Sequence, residues 1–83
     1  MANPNFKTIT AAKAEVRNTI ARFTKQGFKI VEHTTDEYCR LEFEGCHPRL
    51  TIIARPPGST IVTVKQFDAD ASTNSWIPRE EQT

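Results

Sequence analysis

The chain has 83 residues, 25% of them charged and 37% hydrophobic, and a formal net charge of +1. Such a chain can bury one core covering roughly 60% of the surface its unfolded form exposes, and this usage excludes the low-hydrophobicity, high-charge class of disordered proteins. The longest purely apolar runs are two or three residues, so no stretch can cross a bilayer as a helix, and the opening Met1 to Thr8 lacks the apolar segment of an export signal.

Residues 10 to 26 read as the only helix. Ile9, Ala12, Val16, Ile20 and Phe23 recur at three- and four-residue steps and fall within an arc of about 80° at about 100° per residue, the pattern of one buried stripe. Thr10 is the expected N-cap, and Gly27 stands where a left-handed residue ends a helix. Lys13, Arg17, Arg22 and Lys25 occupy the remaining, solvated side with Glu15 as their only offset.

After Gly27 the period changes from helical to two. Phe28 to His33 is expected as a first strand and Tyr38 to Glu44 as a second, with Cys39, Leu41 and Phe43 facing inward. Turn residues fill Gly45 to Pro48. Arg49 to Arg55 follows as a third strand, with Leu50, Ile52 and Ala54 taken as inward. Pro57 and Gly58 suit the two central positions of a turn, and Thr60 to Phe67, rich in β-branched residues, completes four strands. Short loops favour antiparallel neighbours, so the expected fold is α+β: an N-terminal helix on one face of a four-stranded meander. Residues 1–68 form this domain. Residues 69–83 form a C-terminal tail whose anchor is Trp76-Ile77, and this tail is a candidate to dock on the sheet.

His33, Cys39, Cys46 and His47 are the only cluster of soft or borderline metal ligands, and they do not suit a zinc ion. A tetrahedral site needs all four within about 2.0 to 2.3 Å of one ion, whereas an extended strand at about 3.3 Å per residue separates His33 from Cys46. Cys39 points inward and the Cys-x₂-Cys spacing of structural sites is missing. With no export signal, both cysteines are read as free thiols. The neighbours Cys46 and His47 lack a third group to orient the imidazole, as nucleophilic catalysis requires. Asp68 to Ser72 resembles the start of a calcium loop but has Thr73 where Gly is needed and Arg79 where the bidentate Glu belongs. No phosphate-binding glycine motif occurs. No catalytic, metal-binding or cofactor-binding residue is expected.

Charge is segregated along the chain, with +4 in residues 1–27, zero in 28–67 and −3 in 68–83. One helix cannot cover both faces of a sheet, and the strand phases above place Tyr38, Arg40, Ile53, Arg55, Ile61, Lys65 and Phe67 on the uncovered side, together with Val31, Thr51 and Thr63. Trp76 either joins that surface or folds back to cover it. The expected function is a non-enzymatic, cytoplasmic protein-interaction module, acting as a homodimer or as a small accessory or inhibitory protein on a larger partner. Nucleic-acid binding through Tyr38, Phe67, Arg40 and Arg55, with the basic helix, is the alternative. Glu42 and Glu44 on the same face, and the near-neutral total charge, stand against it. No membrane role is expected.

Overall fold

A computed structural model describes residues 5–70 and 72–79. Residues 1–4 of the expected domain and residues 71 and 80–83 of the expected tail lie outside the described residues. The elements run α1 (Ile9–Lys25), β1 (Lys29–Thr34), β2 (Tyr38–Phe43), β3 (Arg49–Ala54), β4 (Thr63–Asp70) and β5 (Ser75–Pro78). Every strand pairs antiparallel with the next in the sheet order β1-β2-β3-β4-β5. The α+β meander with one N-terminal helix is as expected. The sheet has five strands rather than four.

The helix is capped two residues earlier than expected, by Thr8 rather than Thr10. Thr8, in extended conformation, accepts from the Ala11 amide at 3.1 Å, which satisfies a donor that the first turn leaves orphaned. Ala12, Val16, Ile20 and Phe23 are buried along the expected stripe, whereas Ile9 is 41% exposed at its open end. At the other end Gly27 has φ of +105°, a conformation that favours glycine, and a Cβ there would also crowd the Phe43 ring at 3.2 Å. This tight exit brings Phe28 edge-on against Phe23, with ring centroids 5.2 Å apart, and tilted against Phe43 at 5.4 Å. The helix packs on β2 and β3. Its stripe closes a core with Phe28, Cys39, Leu41, Ile53 and Val62.

The phase expected for β3 is reversed. Cys39 pairs with Ile53, Leu41 with Thr51 and Phe43 with Arg49, and directly opposed residues share a face. Ile53 and Thr51 are therefore on the helix side, each with no exposed surface, and Ile53 belongs to the core. Arg55, expected to be outward, is 2% exposed. Its Nε donates to the Asp36 carbonyl at 2.9 Å and its Nη1 to the Ser59 carbonyl at 3.0 Å, so two loops solvate a cation that the core excludes from water. Leu50, Ile52 and Ala54 take the opposite face. The cause is register. The turn after Phe43 closes on Arg49, and that closure fixes which parity of β3 meets the inward residues of β2.

The fourth strand begins at Thr63 rather than Thr60. Residues 60 and 61 are taken instead by the segment before the helix: Phe6 donates its amide to the Thr60 carbonyl at 2.9 Å, and Asn5 bridges Ile61. Pro57 and Gly58 form the expected turn, closed by Ser59 N to Pro56 O at 2.9 Å, with Gly58 at φ +77°. Beyond β4 the presumed tail turns back through Asn74, at φ +56°, and adds β5 to the sheet.

Candidate functional site

With the helix on one side of the sheet, the ladder shows which residues share the other. Tyr38 pairs with Ala54, Arg40 with Ile52 and Glu42 with Leu50. Ala54 in turn pairs with Thr63, Ile52 with Lys65 and Leu50 with Phe67. Phe67 meets Pro78, and Ala69, two positions on, meets Trp76. Tyr38, Ile52, Phe67 and Trp76 therefore lie on one open face with Arg40 and Lys65. Leu50 is only 3% exposed although it faces away from the helix, because Glu42 and Phe67 flank it on the neighbouring strands. The face has a small buried centre of its own.

Trp76 extends this face. Ile77, the other half of the expected anchor, pairs with Asp68 on the helix side and is 45% exposed. The segment therefore widens the sheet at its edge.

The face is divided in its polarity. Toward β1 it carries Arg40 and Glu42, whose side chains meet at 3.3 Å and neutralise each other, and a looser Lys29–Glu44 pair at 3.9 Å. Toward β5 it carries Phe67 and Trp76, and the exposed Lys65 stands opposite Ile52. Among the described residues Lys65 has no ion-pair partner.

Of the residues expected at the interaction surface, Tyr38, Arg40, Lys65, Phe67 and Trp76 share this face, with Tyr38 and Trp76 at opposite corners of it. Ile53 and Arg55 do not, being buried beneath the helix side. Ile61 is 42% exposed but precedes β4, beside Asn5, and Val31 sits at an irregularity of β1. Sequence reasoning placed Ile52 and Leu50 in the core. The signal that would have moved them is the closing pair of the β2–β3 turn.

The other constellations separate. Cys39 is buried, and burial pushes its thiol above the ordinary cysteine range, whereas Cys46 is exposed in the turn between β2 and β3. Cys46, His47, Asp68, Asp70 and Trp76 line an open groove where that turn meets the β4–β5 hairpin, held by Ala69 N to Pro48 O at 3.1 Å. Asp70 accepts from the Ser72 hydroxyl at 2.7 Å and the Ser72 amide at 3.0 Å, which hold its carboxyl below the usual aspartate range. Its carboxylate is thus committed to a local turn. Among the described residues no three His, Cys, Asp or Glu side chains are grouped to share a metal ion, and neither Cys46 nor His47 makes a side-chain hydrogen bond. On the basic helix, Arg17 directs Nη1 at both oxygens of Asp36, at 3.1 and 3.2 Å, and Arg22 lies 5.8 Å from the Phe23 ring centroid, so two of the four cations are engaged within the chain.

No helix among the described residues is long and apolar enough to cross a membrane. Comparison with protein-family models, with curated proteins and with solved structures finds no match.

Proposed function

We propose that this chain is a non-enzymatic, cytoplasmic protein-interaction module that docks on a larger partner through the open face of its sheet, as an accessory or inhibitory protein does. One observation supports the reading above all: Tyr38, Ile52, Phe67 and Trp76 share the side of the sheet opposite the helix, strung diagonally from Tyr38 at one corner to Trp76 at the other. Aromatic rings combine large contact area with few rotatable bonds, and interface centres are enriched in them while their rims stay polar. The self-neutralised Arg40–Glu42 pair forms such a rim. Lys65 projects beside the apolar group, so the matching partner surface is apolar with a carboxylate opposite that ammonium.

The test is capture from an extract of the native host with the full chain as bait, followed by affinity measurement on the purified partner. Phe67→Asp places a charge within the face and leaves the helix-side core intact, so, although Leu50 loses part of its cover, the chain stays folded by circular dichroism. Its affinity falls by about 30-fold or more, the loss of a hot spot of about 2 kcal/mol. A folded Phe67→Asp protein that binds the same partner equally well overturns the reading. Capture that disappears with nuclease and falls steeply with salt transfers the face to nucleic-acid binding.

A further inference from the structure

Strand β1 forms one edge of the sheet, and all six of its residues are exposed. Ile30 and Val31, at 45% and 51%, are among the most exposed large hydrophobics of the described chain. The register across β2 is irregular here: Lys29 faces Glu42 and Ile30 faces Leu41, then Val31 is skipped and Glu32 faces Arg40. In a regular strand residues three apart point to opposite faces. The bulge instead places Lys29 and Glu32 on the same face, the one that carries Arg40 and Glu42, and leaves Ile30 on the helix side.

We infer that β1 pairs antiparallel with β1 of a second copy about a twofold axis between Ile30 and Val31, joining two five-stranded sheets edge to edge. In this register Lys29 stands opposite Glu32 of the other copy and Ile30 opposite its Val31, and symmetry makes each contact twice. Charge complementarity selects it. Shifting the register by one residue in one direction sets Lys29 against Val31, and in the other sets Lys29 against His33 and Ile30 against Glu32. Both shifts lose the ion pairs.

A bulge blunts an edge against an ordinary strand. A second copy brings the same irregularity to the axis, so the edge disfavours other strands and admits its own. Lys29 is available for the exchange, because its contact with Glu44 is 3.9 Å long with both side chains at least three-quarters exposed. The pairing uses none of Ile52, Phe67 or Trp76 and stands apart from the partner-docking reading. It makes the two open faces continuous.

Sedimentation of the full chain over a concentration series at low salt tests it. The parent forms a dimer, a weak one because a single strand edge buries little area. Lys29→Glu and Glu32→Lys each oppose like charges twice across the axis and raise the dimer dissociation constant about tenfold or more. The double variant Lys29→Glu/Glu32→Lys restores opposite charges between copies and brings the constant back. Phe67→Asp leaves the dimer intact. A parent that stays monomeric, single variants that dimerise normally, a double variant that is not rescued, or a dimer dispersed by Phe67→Asp overturns the inference, and circular dichroism of each variant separates lost association from lost fold.

Discussion

Arg55 provides the sharpest test of how the β1–β2 and β3–β4 loops are held together at one end of the sheet. Its guanidinium meets three main-chain carbonyls: Asp36 at 2.9 Å, Ser59 at 3.0 Å and, at the limit of bonding, Pro56 at 3.5 Å. Methionine at this position matches much of the volume and removes the donors. Each good bond from a charged donor contributes about 1.5 to 3 kcal/mol, so two give about 3 to 6. Against this stands the desolvation that a buried cation no longer requires. The expected net loss for Arg55→Met is about 2 to 3 kcal/mol, and at about 4 to 8 °C per kcal/mol for a chain of this size the melting temperature falls by about 10 to 20 °C. Urea unfolding followed by circular dichroism measures it. The amide of Arg55, which donates to Glu37 at 2.7 Å, is unchanged by the substitution, so the loss belongs to the side chain. An Arg55→Met protein within about 0.5 kcal/mol of the parent would show that the Asp36 and Ser59 carbonyls are as well served by water and refute a stabilising role for the guanidinium.

The two thiols should differ in kind: a disulfide-exchange reagent titrates one cysteine in the native protein, Cys46, and the second only on unfolding, because Cys39 is buried with its thiol pushed up. Two fast-reacting thiols would place Cys39 outside the core. Asp70 titrates below an ordinary aspartate, and a carboxyl lowered on folding stabilises above its unfolded value and loses that contribution as pH falls through its folded value. The β4–β5 turn should therefore hold at neutral pH and loosen only in acid, and Ser72→Ala should raise the Asp70 midpoint in a carboxyl NMR titration; an unmoved midpoint rejects the hydrogen bonds as the cause.

Much of the fold is written in local signals. The stripe from Ala12 to Phe23, the glycine at 27, the alternation of Cys39 and Leu41 and the Pro57-Gly58 turn each identify an element without reference to the rest of the chain. The phase of β3 is different, because Leu50, Ile52 and Ala54 on one parity and Ile53 on the other are both apolar enough to face a core. Only the pairing with β2 decides, and the decision buries Thr51, whose hydroxyl finds no partner among the described residues, in preference to Ile52. Strand β5 is four residues long and follows an acidic, polar turn, too short for a period to emerge. The bulge at Val31 also leaves no mark in composition. The open face was thus legible at Tyr38, Arg40, Lys65 and Phe67, where alternation is unambiguous, and misassigned at Ile53 and Arg55, where long-range register rules.

The order in which these contacts form follows from the meander. Every strand finds its partner in the next segment of chain, so each hairpin closes across a short loop, and topologies of this kind fold quickly for their strand content. The segment before the helix is the exception: the Thr60 hydroxyl meets the Asn5 side chain across 55 positions of sequence, beside the Phe6 amide on the Thr60 carbonyl. Its contacts span the longest stretch of sequence among these bonds, and apart from them only Phe6, partly buried against the core, holds it, so this strap is expected to open before the hairpins do. When it opens, Phe6 leaves the core and the Asn5–Ile61 bridge is lost while the hairpins stay paired, giving a locally unfolded state at lower free energy than global unfolding.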